Sequence, residues 1–260
     1  MHDVEDRALP LYARTSSAAD VLGVHGAAGL THWKYLAGRG QLHGEWEAIE
    51  WASIPPGGLS GEHRHTRTEE LYYVLAGEGE FLVNGEAVYA SPGSLLLTGR
   101  GAVHGLRNLG PDSLDWLVIE VPVPDVAAVL RGARLGSAPR PYSAESRGLA
   151  MTALHDLSTS RSIDPSDVFT GPLTVIETIH IRGGGFQEFG VPGAEETLFV
   201  LSGSGWADSA GTRMPLSPGT AVTLPLGARV RIGADADADA DADGLDLFHA
   251  RMRVTAGGTA

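Results

Sequence analysis

Short runs of apolar and β-branched residues, separated by glycine-rich turns, recur along the whole chain. In the first half these runs predict strands at 71–76, 80–83, 94–98 and 114–121. The second run leads into Asn84-Gly85, a dipeptide typical of tight hairpin turns. In the second half the runs predict strands at 198–201, 221–224 and 245–254. The pattern indicates an all-β protein whose short antiparallel strands close into small barrels or jelly rolls, which protects the strand edges.

The strand pattern occurs twice, with an offset of 126 residues and without a gap. Under this offset Glu69-Glu70 aligns with Glu195-Glu196, and Ser91-Pro92-Gly93 aligns with Ser217-Pro218-Gly219. Ordered matches of this kind indicate two domains of one fold, because isolated glycine matches are common but a long ordered series is not.

The repeat predicts a division of the chain into four parts. We expect an N-terminal arm over 1–45, a first barrel over 46–122, a linker over 123–170 and a second barrel over 171–256. Within the linker the sequence predicts a short helix at 125–131, and the stretch 136–141 has the glycine and proline content of an irregular connection.

Composition narrows the possible chemistry and partners. The 260 residues include no cysteine, so a metal ion would need His, Asp or Glu ligands. The net charge of −13 disfavours nucleic acid as a partner. Part of that charge comes from alternating Ala and Asp residues at 234–243, where we expect a solvated loop rather than a calcium site. We find neither a signal peptide nor a run of about 18 apolar residues, so we expect a cytoplasmic protein without a membrane partner.

Four residues of the first repeat form the candidate metal site. His63 and His65 are two positions apart, so their side chains point to the same face of a strand. Glu70 begins the next strand, and His104 lies on a later strand, after a glycine turn. Three imidazoles and one carboxylate suit one divalent first-row metal ion and leave coordination positions for a small-molecule substrate.

The second repeat keeps the glycines but loses most of the candidate ligands. Phe189, Val191 and Val230 align with the three histidines, and Glu196 alone remains of the four. We therefore expect a second barrel that is metal-free and apolar inside, and that supports dimerisation or completes the first pocket. Glu196 would be either a salt-bridged structural residue or part of an unrelated pocket.

The spacing of these residues resembles the two motifs of the cupin superfamily. The first motif is matched as Gly57-x5-His63-x-His65-x4-Glu70-x6-Gly77. The second is matched as Gly93-x5-Gly99-x-Gly101-x2-His104-x3-Asn108, with Gly99 where the motif has proline. The resemblance implies two tandem double-stranded β-helix barrels with a short, partly helical linker. It also implies that Glu70, rather than the adjacent Glu69, is the fourth ligand.

The resemblance also suggests a reaction. Cupin dioxygenases with two barrels use three histidines and one glutamate to bind Fe(II), so we expect Fe(II) and O2-dependent oxidation, with Mn, Ni, Cu or Zn as other ions that fit the ligands. Glu70 is the candidate catalytic residue, since it could leave the metal and act as a base. Candidates for substrate contacts are Tyr72, Trp51, Trp116 and Arg100, although we favour core positions for the three aromatic residues and a surface position for Arg100.

Two other function classes stay open. One is a redox-neutral metal enzyme, such as an isomerase or a decarboxylase. Residues 44–63, 67–70 and 104–108 are also similar to the cupin part of enzymes that join two nitrogens in hydrazine-containing natural products, although those enzymes carry a fused synthetase-like domain that this sequence lacks. The other class is a non-enzymatic cupin that binds a small molecule. A homodimer is among the expected assemblies.

Overall fold

The computed structural model describes residues 11–16, 21–22, 30–132, 151–236 and 244–254, and these residues form mainly antiparallel β-strands. The predicted irregular connection at 136–141 and most of the Ala-Asp run lie outside this part of the chain. Neither α-helix in the described segments has the length or the apolar character needed to cross a membrane.

The order of elements repeats between the halves of the chain. The first half contains β1 (Tyr12–Thr15), β2 (Val21–Leu22), β3 (His32–Gly38), β4 (Ala48–Ile54), β5 (Leu59–Arg64), β6 (Thr68–Ala76), β7 (Gly79–Val83), β8 (Glu86–Ala90), β9 (Ser94–Thr98), β10 (Val103–Asn108), β11 (Leu114–Pro122) and helix α1 (Pro124–Leu130). The second half contains β12 (Thr152–Asp156), helix α2 (Leu157–Ser160), β13 (Ser162–Ile163), a 3-10 turn (Pro165–Asp167), β14 (Leu173–Ile181), β15 (Phe186–Phe189), β16 (Ala194–Ser202), β17 (Gly205–Ser209), β18 (Thr212–Leu216), β19 (Thr220–Leu224), β20 (Val230–Ala234) and β21 (Leu245–Arg253).

Each half forms a barrel from one large and one small sheet. In the first barrel the strand orders are β12-β9-β6-β11-β4-β3-β2 and β5-β10-β7-β8. In the second they are β1-β19-β16-β21-β14-β13 and β15-β20-β17-β18. Apolar side chains from both sheets meet inside each barrel, as Phe81 of β7 meets Val74 of β6 in the first. The prediction of an all-β protein with two barrels of one fold is confirmed.

The two halves exchange edge strands. β1, from the N-terminal segment, pairs with β19 of the second barrel, with Tyr12 opposite Thr223. β12, from the segment between the barrels, pairs with β9 of the first barrel, with Thr152 opposite Thr98. Each large sheet thus has its edge covered by a strand that precedes the other barrel, which protects the edge from pairing with other chains.

The large sheets pack against each other through a shared apolar core. Side chains alternate along each strand, so Tyr72 and Val74 face the inside of the first barrel while Leu71 and Tyr73 face the second barrel. Phe248 of the second barrel lies in the same core with its ring centroid 4.8 Å from that of Tyr73. Burial of one such side chain contributes roughly 1.5–3 kcal/mol, so this interface stabilises both barrels.

Glu69 faces the interface between the barrels, whereas Glu70 faces the inside of the first barrel. The Glu69 carboxylate accepts hydrogen bonds from the backbone N–H groups of Thr170 and Gly171 and from the Thr170 hydroxyl, at 2.6 to 3.0 Å. Burial raises the pKa of Glu69, and these hydrogen bonds act in the opposite direction. Its contacts hold the chain segment that leads into the second barrel.

Candidate functional site

Strands β5, β6 and β10 bring the four candidate ligands together inside the first barrel. His63 on β5 lies directly opposite His104 on β10, His65 follows the end of β5, and Glu70 lies near the start of β6. One possible ligand atom from each residue lies within 4.8 Å of the other three. Ring centroids are 4.7 Å apart for His63 and His65, and 4.7 Å apart for His63 and His104.

Hydrogen bonds fix the orientation of these side chains. The Thr68 hydroxyl donates to Glu70 Oε1 at 3.1 Å and lies 3.0 Å from His65 Nδ1. The Tyr72 hydroxyl lies 3.1 Å from His104 Nε2, and His63 Nδ1 lies 2.8 Å from the Gly61 carbonyl oxygen. Partners of this kind orient metal-binding side chains in proteins.

The Glu70 carboxylate is ionised although it is completely buried. Burial acts to raise its pKa, but the hydrogen bonds and charge of His104 and His65 oppose this and bring the pKa to about 2. His104 Nε2 lies 3.3 Å from Glu70 Oε2, and His65 Nδ1 also forms an ion pair with the carboxylate. A buried negative charge surrounded by imidazoles is the electrostatic environment that a cation requires.

The cluster meets the requirements of a metal site. His104 is 1% exposed, and its Nδ1 has no hydrogen-bond partner among the described residues. A buried polar atom without a partner is costly and calls for an explanation, such as an absent ion. Nitrogen and carboxylate ligands in this combination suit divalent first-row ions. Over the described segments, this is the one group of three or more His, Asp or Glu residues with such geometry.

A cleft lined by acidic side chains adjoins the cluster. Glu120 on β11 lies directly opposite Glu70 on β6, and Glu50 on the neighbouring strand β4 faces the same side. These two residues line, together with Tyr35, Arg39, Gly40, Glu47 and Ala48, a cleft of about 570 Å³. Glu50 and Glu120 are not among the site residues predicted from the sequence. The available signal was a charged residue at an inward-facing position of an otherwise apolar strand.

The carboxylates of this cleft are mostly uncompensated. Burial raises the pKa of Glu50 to about 7, against a 2.6 Å hydrogen bond from Trp33 Nε1, and the charge of Glu70 adds to the rise. Burial, followed by the charges of Glu70 and Glu50, raises the pKa of Glu120 to about 9. Arg39 lies 3.1 Å from Glu47. The charges of His65 and Arg67 act to lower the pKa of Glu50 and of Glu120, respectively, but do not reverse the rise. Without a bound cation, the two carboxylates are therefore not both fully ionised at neutral pH.

The four candidates for substrate contacts lie in different environments. Tyr72 contacts His104, and Trp116 packs against Tyr72 in the barrel core, with ring centroids 6.3 Å apart. Trp51 lies on the opposite face of β4, in the core between the barrels. Arg100 lies 3.7 Å from Asp125. None of the four lines the acidic cleft.

The second barrel holds an ion-pair network at the corresponding place. Glu196 lies 3.2 Å from His249 Nε2 and 3.3 Å from Arg251 Nε, and accepts a 2.9 Å hydrogen bond from the Val191 backbone N–H. Glu177 lies 2.8 Å from His249 Nδ1. The salt-bridged alternative for Glu196 is therefore confirmed. The expectation of an entirely apolar interior is wrong at this point, because strand β21 supplies two basic side chains that the repeat alignment did not consider.

The positions that replace the histidines behave differently from one another. Phe189 and Val230 lie in the apolar core of the second barrel, at 6% and 3% exposure. Val191 is 42% exposed and does not fill the interior.

Burial acts to lower the pKa of His249, but Glu177 and Glu196 outweigh it and raise that pKa. Burial acts to raise the pKa of Glu196, but His249 brings it to about 2.

Comparison with known proteins identifies the first barrel. The sequence pattern of the cupin domain family matches residues 50–120. An oxalate-binding protein of Thermotoga maritima is 29% identical over 99 residues, which are 38% of this chain and 82% of that protein.

Solved structures resemble the chain over much of its length. Protein Ylba from E. coli superposes with a TM-score of 0.69 at 11% identity, over 97% of this chain and 96% of that one. Salicylate 1,2-dioxygenase from Pseudaminobacter salicylatoxidans superposes with a TM-score of 0.57 at 16% identity, over 82% of this chain and 72% of that one. At these identities the likeness concerns the fold alone.

Proposed function

The chain belongs to the cupin superfamily, and from this premise we propose that its first barrel is the active site of a mononuclear metal-dependent enzyme that acts on a small molecule. In this proposal His63, His65, Glu70 and His104 hold the ion. The observation that carries it is the convergence of these four side chains on one buried point.

Each surrounding residue would have a defined task. A divalent ion at this point would supply Lewis acidity and, as Fe(II), the capacity to react with O2. Thr68 holds the carboxylate of Glu70 and the ring of His65 in place, and Tyr72 does the same for His104. Because Glu70 is buried and held from two sides, it is better suited to be a fixed ligand than a mobile base.

We favour oxygen-dependent oxidation as the reaction, with a redox-neutral reaction as the alternative. The set of three histidines and one glutamate supports the first, since it matches the dioxygenases that the sequence motifs resemble. The curated relative is named for binding oxalate. The carboxylates of Glu50 and Glu120 beside the cluster would repel this dianion, which argues against oxalate as a ligand of this chain.

A pair of adjacent variants tests the metal site. We expect about one divalent ion per chain in protein purified without chelators under anaerobic conditions, measured by elemental analysis. Glu70→Gln should lose most of the ion because it removes the charged ligand. Glu69→Gln is the matched control, since Glu69 faces the other barrel and should leave the metal content unchanged. Equal metal content in the two variants would contradict the assignment.

A second measurement separates the reaction classes. The Fe(II)-loaded protein should consume O2 in the presence of its substrate, as followed with an oxygen electrode. Metal-dependent conversion of the substrate under argon would instead support the redox-neutral alternative. Tight binding without conversion under either atmosphere would indicate a non-enzymatic binding protein and refute the proposal.

A further inference from the structure

The two barrels place matching carboxylates at matching positions. In the first barrel Glu50 lies opposite Val118, and Glu70 lies opposite Glu120. In the second barrel Glu177 lies opposite His249, and Glu196 lies opposite Arg251. Strand pairing therefore relates Glu50 to Glu177 and Glu70 to Glu196, and the positions across from them on the last long strand of each barrel also correspond.

The second barrel balances its two carboxylates with its own side chains. His249 lies between Glu177 and Glu196, and Arg251 contacts Glu196 from the other side. The first barrel has Val118 and Glu120 where the second has these two bases. Compared with the second barrel, the first barrel therefore lacks both internal cations and has a third carboxylate at the same depth.

A metal ion balances only part of this charge. A divalent ion held by the ionised Glu70 leaves one net positive charge, which can balance one further carboxylate. Glu50 and Glu120 are two. Arg39 of the cleft is already engaged by Glu47, and the charge of Arg67, which does not line the cleft, offsets that of Glu120 only in part. Buried carboxylates without a balancing positive charge are costly, so the occupied site favours a ligand that brings one additional positive charge.

We propose that the first barrel selects a substrate bearing a protonated amine, which Glu50 and Glu120 bind beside the metal ion. This inference rests on the proposed function and names its substrate class. The cleft of about 570 Å³ has room for a small molecule, and one of its lining residues, Glu120, lies directly opposite the candidate ligand Glu70. A substrate with an amine at one end and a metal-binding oxygen nearby satisfies both halves of the site.

Three small molecules of equal length provide the test. 3-Aminopropanol, 1,3-propanediol and 3-hydroxypropanoate share a hydroxyl end and differ in whether the other end is cationic, neutral or anionic. Binding to the metal-loaded protein would be measured by ligand-observed NMR at several salt concentrations. We expect the amine to bind about tenfold more tightly than the diol, which corresponds to one well-placed charge pair, and the carboxylate to bind more weakly than both.

Variants locate the preference in the cleft. Glu120→Gln keeps the shape of the side chain but removes its charge. It should reduce the affinity for 3-aminopropanol to the affinity for 1,3-propanediol. The double variant Val118→His/Glu120→Arg installs the residues of the second barrel and should reverse the preference toward 3-hydroxypropanoate. Glu80→Gln is the control, because Glu80 pairs with Arg107 on the small sheet and should leave the preference unchanged.

The outcomes distinguish this inference from the proposed function. Equal binding of amine and diol, or an amine preference that survives in Glu120→Gln, overturns the inference. If the same samples still contain their metal ion, the proposed function stands. Amine preference in protein that holds no metal contradicts the proposed function alone. The isosteric Glu120→Gln variant decides the question by itself if the double variant does not fold.

Discussion

Glu195 connects the two barrels through a single buried carboxylate, and its replacement by glutamine should destabilise the whole chain. Glu195 is completely buried and accepts four hydrogen bonds. Oε1 accepts hydrogen bonds from the backbone N–H groups of His43 and Leu226 at 2.9 and 3.0 Å. Oε2 accepts hydrogen bonds from the backbone N–H of Gly44 and from Trp46 Nε1–H at 2.8 and 3.1 Å. The carboxylate thus fixes the segment that leads into the first barrel against the second.

The expected loss follows from the number of donors that lose their acceptor. A glutamine side chain keeps one acceptor oxygen and places an NH2 group at the other position. Two buried donors then face a donor, and each lost hydrogen bond to a charged group costs roughly 1.5–3 kcal/mol. We expect Glu195→Gln to lower the free energy of unfolding by about 3–6 kcal/mol in total. For a chain of this size that is a decrease in melting temperature of roughly 6–24 °C.

Urea denaturation followed by tryptophan fluorescence and circular dichroism measures this loss. Glu188→Gln is the matched control, because Glu188 is exposed and pairs with Arg231 on the surface, where loss of the pair costs less than about 1 kcal/mol. Metal content of Glu195→Gln should equal that of the unmodified protein. A loss below about 1 kcal/mol, equal to that of the control, would refute the reasoning that this carboxylate holds the barrels together.

Two further predictions concern the second barrel. Because the pKa of His249 is raised above 6.5, its contribution to stability is present below about pH 6.5 and is lost as the pH rises through the raised value. Between pH 6 and 9 the melting temperature of the unmodified protein should therefore fall more than that of His249→Gln. Parallel profiles of melting temperature against pH would contradict this. Phe189→Ala truncates a buried ring and should cost about 3–5 kcal/mol by denaturation without changing metal content. The exposed Phe186→Ala is its control, and loss of metal from Phe189→Ala would show that the second barrel supports the site directly.

The fold was largely predictable because the signals that specify it are local. Strand β9 was predicted with its observed bounds, and helix α1 was predicted within one residue. Hydrophobic alternation and turn residues act over a few positions, so a sequence displays them directly. The exchange of β1 and β12 between the halves was not predictable in this way, because which sheet edge a short strand covers depends on packing between distant segments.

The candidate site was predictable only in part. His63 and His65 share a face because side chains alternate along a strand, and this is visible in the spacing. Glu50 and Glu120 come from strands far apart in sequence, and only the observed register brings them beside Glu70. Their importance depends on charge balance within the folded barrel, which no local pattern reports.

The second barrel has a structural role that the loss of its metal ligands does not remove. β12, which leads into the second barrel, pairs with β9, and β9 in turn pairs with β6, the strand that carries Glu70. A first barrel without its partner would expose that edge. It would also expose the apolar face on which Tyr73 contacts Phe248 of the second barrel. Conversely, a barrel that only needs to pack can neutralise its interior carboxylates permanently, as His249 and Arg251 do. The first barrel keeps its carboxylates unbalanced, which costs stability unless a cation binds there. This contrast between two copies of one fold is the physical basis of our proposal that the first barrel is the active site.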